Sequence, residues 1–331
     1  RPGWGMIEEK IRKEEARWMK KPVLYIVIPC YNEQDNVVDF CKECVRVFSK
    51  GDFDYDFVFV NDGSTDKTLK TLREIYSLGK LNMTIISFSR NFGKEAAIYA
   101  GLKNAKGDLV TVIDADLQQR PEVVMEMIGY LSEHKECDCV AAYQRERHES
   151  KLLKTFKGWF YGLSNKIMQT KLYPGASDFR TMRRQMVNAV LQLSEYHRFS
   201  KGIFSWVGFN TYYMPYHVRE RNAGSSKWSF KKLFEYAIEG IVAFTTKPLR
   251  IPVYLGAASL FASFVFLIYM IVKICLGTYI TAHLAVYLLL LLGGSILVAL
   301  GVIGEYLSKT YMETKGRPIY IIKNKWTTEG K

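Results

Sequence analysis

From Ile251 to Val272, and again from Leu284 to Gly304, the chain carries no charged side chain. Each run reaches the ~20 residues that a helix needs to cross the hydrocarbon of a bilayer. Buried helices of soluble proteins are seldom so long and so apolar, so both runs are expected to be transmembrane, joined by a short turn. Lys247 and Arg250 precede the pair, and Lys309, Lys315, Arg317, Lys323 and Lys325 follow it. Basic residues collect on the cytoplasmic side, so an integral cell membrane protein is expected, with both termini and the region before the pair in the cytoplasm. Inside the pair only Lys273 and His283 can ionise, both near the turn. That leaves no ion pathway and argues against a transporter or channel.

The whole chain has 46 Lys and Arg against 33 Asp and Glu, a net charge of +13. Such an excess suits nucleic acid, an anionic lipid surface or phosphorylated substrates. No basic helix interleaved with base-stacking aromatics is present, which sets nucleic acid aside. Six cysteines occur: Cys30, Cys41, Cys44, Cys137, Cys139 and Cys275. Cys41 and Cys44 fall in a helical pattern, and Cys137 and Cys139 alternate as in a strand. They read as reduced, buried thiols rather than a zinc site.

Upstream of the apolar runs, strand and helix patterns alternate. Strands are expected over Val23–Ile28, Phe57–Val60, Met83–Phe88, Leu109–Ile113 and Cys139–Tyr143. Helices are expected over Asn36–Phe48, from Ser64 or Thr65 through Tyr76, over Glu95–Ala105, and from Pro121 onward. This alternation predicts an α/β fold with a mostly parallel sheet covered by helices on both faces. Residues 151–170 and 228–244 combine Lys with Trp, Phe and Leu, as interfacial helices do.

Ligands of open α/β sheets bind at the C-terminal ends of the strands. Three strand ends here carry acids or amides: Pro29-Cys30-Tyr31-Asn32-Glu33, Asn61-Asp62-Gly63-Ser64-Thr65-Asp66, and Asp114-Ala115-Asp116-Leu117-Gln118. Carboxylates gathered in one place repel unless a cation or donor groups stand between them. The Asp114-x-Asp116 spacing suits one carboxylate on a ligand hydroxyl and one on a metal. Mg²⁺ takes few protein carboxylates and completes its shell with phosphate and water oxygens.

The motifs V-I-P-C-Y-N-E at 27–33, V-N-D-G-S-T-D at 60–66, S-R-N-F-G-K-E-A-A at 89–97, D-A-D-L-Q at 114–118, S-D-F-R at 177–180 and S-S-K-W-S at 225–229 occur together, ahead of the apolar pair. Over 22–325 the chain resembles family 2 inverting glycosyltransferases of GT-A fold. It is most similar to polyprenyl-phosphate glycosyltransferases of the bactoprenol glucosyltransferase and dolichol-phosphate mannose synthase type. The resemblance implies transfer of a sugar from a nucleotide-sugar donor to a polyprenyl phosphate acceptor at the bilayer surface. UDP-glucose is the first donor, before UDP-N-acetylglucosamine and GDP-mannose.

It further implies that Pro29, Tyr31, Glu33 and Asp62 bind base and ribose, and that Asp114 helps hold the nucleotide. Asp116 and Gln118, with Asp114 beside them, would hold Mg²⁺ or Mn²⁺. Arg145 would neutralise phosphate, and Arg219, Arg221, Ser226 and Lys227 would meet the lipid phosphate or the donor diphosphate. Asp178 is the candidate for orienting sugar hydroxyls or the acceptor, a structural cap being the alternative. Lys94 and Arg90 face the diphosphate or solvate a loop. Gln119-Arg120-Pro121-Glu122 departs from the family pattern, in which an acid and a proline are commoner.

The expected organisation is a charged, added N-terminal segment over 1–21, a GT-A domain over 22–227 and a juxtamembrane helix over 228–250. Two membrane helices over 251–308 and a basic tail over 309–331 complete it. Deleting 249–331 is expected to release a more soluble nucleotide-binding domain. Gly293, Gly294, Ser295, Ala299, Gly301 and Gly304 would allow close helix packing in a homo-oligomer. A processive synthase is the enzyme alternative, but its Q-x-x-R-W signature is missing. A membrane-anchored nucleotide-sugar sensor without turnover is the other alternative.

Overall fold

The computed structural model describes residues 21–144, 162, 173, 175–217, 245–276 and 282–328. The chain divides into two units, one holding an α/β sheet and the other a pair of long helices.

The sheet unit begins with β1 (Val23–Cys30), α1 (Val37–Phe48), β2 (Asp54–Asn61), α2 (Thr68–Ser77), β3 (Met83–Phe88), α3 (Lys94–Asn104), β4 (Leu109–Val112) and α4 (Pro121–Glu133). It continues with β5 (Cys139–Gln144), β6 (Ala176–Arg183), α5 (Arg184–Gln192), α6 (Ser200–Trp206) and β7 (Thr211–Tyr216), and the chain returns to it with β8 (Ile322–Thr327). The strand order is β7-β5-β6-β4-β1-β2-β3-β8. All but β6 and β8 run the same way.

The central strands are apolar without alternation because both faces are covered. Leu24, Ile26, Val27 and Ile28 of β1 and Phe57 to Val60 of β2 are fully buried. Phe40 of α1 meets Phe59 edge-on at 6.3 Å, and Phe57 and Phe59 stack at 5.8 Å. On α3, Ala96, Ala97, Ala100 and Gly101 let the helix lie close to β1; a Cβ at Gly101 would come within 2.1 Å of Val27 Cγ1. The five cysteines from Cys30 to Cys139 are buried free thiols, whereas Cys275 is exposed.

The elements read from sequence up to β5 are present, with ends shifted by at most four residues. β2 starts earlier, at Asp54, because its charged residues sit at the open end of the strand. β6, β7 and β8 were not legible. β6 is polar in sequence yet is held between β4 and β5, and pairing on both edges outweighs strand propensity. Residues 151–170 and 228–244 lie essentially outside the described residues.

In the helical unit, α7 (Ile251–Cys275) follows a short 3₁₀ turn over Lys247–Arg250, and α8 spans Ala282–Thr314. The stretches Pro248–Lys273 and Leu291–Thr314 have mean hydropathies of 2.3 and 1.7, and their apolar windows are not buried. Phe261, Val265, Leu289 and Leu297 are more than half exposed. A water-soluble fold would cover such a surface. The Tyr306 hydroxyl donates to the Thr245 carbonyl at 2.6 Å within this unit.

Residues 309–331, expected as a tail, contain the end of α8 and then β8, an antiparallel edge strand on β3. Lys323 and Lys325 on that strand are the charged residues that guard sheet edges. Deleting 249–331, expected to give a more soluble nucleotide-binding domain, would also remove β8 from one edge of the fully buried β3. Removing 318–331 alone should lower the thermal midpoint and promote aggregation through the bared edge. Scanning fluorimetry and light scattering on full-length and truncated protein check this; unchanged behaviour would make β8 dispensable.

Candidate active site at the strand ends

Register brings the acidic loops together. Cys30 ends β1 directly opposite Asn61 at the end of β2, and Val27 of β1 pairs with Val112 of β4. The loops after β1 and β2 are then stitched by side chains. Asn32 N–H donates to Ser64 Oγ at 3.0 Å, and Thr65 N–H donates to Asn32 Oδ1 at 2.9 Å. Glu33 N–H donates to Thr68 Oγ1 at 2.8 Å, and Lys67 N–H to Gln34 Oε1 at 3.0 Å. Pro29 sits opposite Val60 and Tyr31 is 43% exposed, while Glu33 Oε2 accepts from Asn36 Nδ2 at 2.6 Å.

Asp62 faces the protein. Its buried carboxylate accepts Phe92 N–H at 2.7 Å and Gly93 N–H at 2.9 Å, tying down the loop between β3 and α3. Burial raises its pKa, against the lowering pull of those two amides and of Arg90. Gly63 beside it has φ +63, and a Cβ there would lie 2.3 Å from the Arg90 carbonyl carbon, so only glycine fits. The Arg90 guanidinium lies 3.9 Å over the Phe92 ring.

Lys94, the first residue of α3, is the hub. Its Nζ is 2.7 Å from Asp114 Oδ1, 2.9 Å from Asp114 Oδ2 and 3.7 Å from Asp178 Oδ2. Val112 pairs with Arg180 across the antiparallel β4–β6 ladder, and two more steps of that register carry Asp178 across from Asp114. Burial acts to lower the lysine pKa, but the two carboxylates outweigh it and hold the ammonium above its usual range. Gln119 completes the Asp114 shell: its Nε2 donates to Asp114 Oδ2 at 2.9 Å, and its Oε1 accepts Asp114 N–H at 2.9 Å. The departure from the family pattern at this position thus supplies a neutral, buried partner for the first aspartate.

Asp116 accepts Gln118 N–H at 3.2 Å, and Leu117 between them has φ 57. A left-handed leucine costs on the order of 1–3 kcal/mol and belongs where geometry is imposed by a site. Asp116 and Gln118 offer a carboxylate and an amide oxygen, hard donors that fit Mg²⁺ or Mn²⁺. Among the described residues no three His, Cys, Asp or Glu converge. The donor set therefore fits a cation that draws most of its oxygens from phosphate and water, with Asp114 already committed to Lys94 and Gln119. Arg145, Arg219, Arg221, Ser226 and Lys227 lie outside the described residues.

Asp178 is 18% exposed, and its buried Oδ1 has no hydrogen-bond partner among the described residues. Buried polar atoms are seldom left so, so Asp178 is the polar side chain of this cluster whose hydrogen bonding is incomplete among the described residues. Behind it stands Glu95, which the sequence reading did not single out. Its carboxylate accepts both the backbone N–H and the hydroxyl of Ser200 at the start of α6. An acid in the first turn of an alanine-rich helix was the available signal.

Burial raises the Glu95 carboxyl from 4.5 to about 7, and the Asp178 charge adds to this, against Ser200 and Arg198. Its protonated form therefore favours the fold, in full below pH 4.5 and decreasingly as pH rises through about 7. Asp178 runs the other way. Burial would raise it, but Lys94, Lys201 and Arg180 outweigh burial and hold it below 3.8, so its contribution is lost only as pH falls through that lowered value. Glu95→Gln should abolish the fall in stability between pH 4.5 and about 7 and leave the more acid limb in place. Denaturation midpoints across pH on the detergent-solubilised protein test it; an unchanged slope would rule Glu95 out as its source.

Comparison with known proteins follows the same motifs. The model of glycosyl transferase family 2 matches residues 25–191. A protein of Bacillus subtilis (strain 168) named as a glycosyltransferase, CsbB, is 41% identical, covering 92% of each chain. The bactoprenol glucosyl transferase of Shigella phage SfV is 39% identical over 90% of this chain and 97% of its own. The prophage bactoprenol glucosyl transferase homolog of Escherichia coli (strain K12) is 38% identical over the same shares. The matched segment contains Asp62, Lys94, Asp114, Asp116 and Asp178, and with it the chain belongs to glycosyl transferase family 2.

Proposed function

We propose that the protein transfers a hexose, from UDP-glucose in first place, to a polyprenyl phosphate at the cytoplasmic face of a membrane, with inversion at the anomeric carbon. The observation that carries this reading is the end-to-end similarity to bactoprenol glucosyl transferases in a chain whose two long helices expose apolar side chains. Those helices anchor the protein and keep the site near the headgroups, where a long lipid presents its phosphate.

The acceptor is already an anion at neutral pH, so no strong base is needed. Its phosphate oxygen attacks the anomeric carbon from the face opposite the nucleotide. A new C–O bond forms, and the bond to the nucleoside diphosphate breaks with its electron pair leaving on the diphosphate. Lys94 offsets charge on that leaving group, which is where fixed positive charge is worth most. Asp178, beside Lys94, accepts a sugar hydroxyl and so sets the sugar's orientation. Tyr31 is exposed and available to the base, while Pro29, Glu33 and Asp62 shape the nucleotide pocket from the two stitched loops. Asp116 and Gln118 would hold Mg²⁺ or Mn²⁺, which supplies Lewis-acid stabilisation of the diphosphate. Arg145, Arg219, Arg221, Ser226 and Lys227 are assigned to the two phosphate groups.

The test is a transfer assay with full-length protein, undecaprenyl phosphate and Mg²⁺. UDP-glucose, UDP-N-acetylglucosamine and GDP-mannose are run in parallel, each with and without chelator. Lipid-linked glucose from UDP-glucose, lost on chelation, is expected. Asp116→Ala should lower turnover by about a hundredfold or more while the protein stays folded. Absence of product from all three donors in folded protein would sink the proposal, and full activity of the Asp116 variant would sink its metal.

A further inference from the structure

Ser89–Gly93 runs without regular structure between β3 and α3 and leads directly into Lys94. Two of its supports are Asp62 and Gly63. The third comes from the other end of the chain. Ser89 N–H donates to the Ile321 carbonyl at 3.0 Å. The Tyr320 ring stacks on Phe88 with centroids 4.9 Å apart and an interplanar angle of 16°. The same ring meets Tyr99 of α3 edge-on at 6.3 Å, and Phe88 meets Phe92 at 5.7 Å. Tyr320 therefore touches the residue just before the loop and the helix just behind Lys94.

Tyr320 is itself held by β8. The Tyr76 hydroxyl donates to Thr327 O at 2.8 Å, Lys325 Nζ donates to Asn104 Oδ1 at 2.8 Å, and Arg73 lies 5.2 Å over the Trp326 ring. Contacts between Lys94 and its two aspartates depend steeply on distance. A small shift of the loop would therefore change what the ammonium can reach.

We propose that Tyr320 is a positioning residue for Lys94: braced on β8, its ring fixes loop 89–93 and the start of α3, and so sets the reach of the ammonium toward the donor diphosphate. The inference rests on the reading of this site as a donor site. It gives the strand that follows the second apolar helix a role in donor binding beyond closing the sheet.

The experiment uses full-length protein and whichever donor the wild type turns over. Tyr320→Ala, Tyr320→Phe and Tyr76→Phe are compared by steady-state kinetics, melting and hydrogen exchange of peptides covering 89–94. In Tyr320→Ala the donor KM should rise about tenfold with the acceptor KM within about twofold, since the misplaced ammonium serves the donor's diphosphate and not the acceptor. Exchange at 89–94 should quicken while β1 and β2 stay protected. Tyr320→Phe should restore wild-type behaviour, because the ring and not the hydroxyl does the bracing. Tyr76→Phe, which loosens the same strand away from the loop, should leave the donor KM unchanged.

Wild-type exchange at 89–94 in Tyr320→Ala overturns the inference. So does a loss of stability and of both KM values in parallel with Tyr76→Phe, which is what a merely structural ring would give. If the wild type transfers no sugar, the functional reading falls on its own. Exchange at 89–94 then still decides the bracing: quickening upholds it and wild-type rates overturn it.

Discussion

The Lys94 ammonium stands between two carboxylates, Asp114 just after β4 at 2.7 Å and Asp178 on β6 at 3.7 Å. Negative groups cannot be gathered at adjacent strand ends unless something positive shares their space. Here the positive charge comes from the chain itself, on the first residue of α3. The rest of the site is arranged around that choice. Gln119 satisfies Asp114 without adding charge, burial shifts Glu95 toward its protonated form, and Asp62 is turned inward to hold the loop that delivers the lysine. The ion pair is partly exposed, so it contributes little to stability. On the proposed function, its importance is electrostatic placement next to the donor diphosphate.

Delivery of Lys94 depends on backbone geometry far from the charge. Asp62 grips two amides, Gly63 admits the Arg90 backbone where no other residue would fit, and the C-terminal segment packs Tyr320 under Phe88. The first two supports are adjacent residues after β2, and the third comes from the other end of the chain. The long apolar helices of the second unit sit between residues of the sheet unit in sequence, so the chain that leaves the sheet before them returns to its edge after them.

Much of this was legible in the residues. The unbroken apolar runs of β1 and β2 announced strands buried on both faces. The acids following them announced polar loops at the strand ends, and 251–272 and 284–304 announced two long apolar helices. The polar strand β6 was not legible, because its place between β4 and β5 comes from partners distant in sequence. Nor was β8, whose two lysines read as tail until pairing with β3 makes them edge residues. Gln119 looked like a departure from pattern and proves to be the amide that completes Asp114.

Sequence by itself determined which groups are available: acids after apolar runs, a lysine opening an alanine-rich helix, two stretches too apolar for water. These are local properties, set by composition and spacing within a few residues. Only the tertiary structure decided which of them meet. The antiparallel β4–β6 register brings Asp178 across to Asp114, and the β3–β8 pairing brings residue 320 to residue 88. Long-range pairing depends on the summed burial and hydrogen bonding of whole strands, and no single residue records its partner.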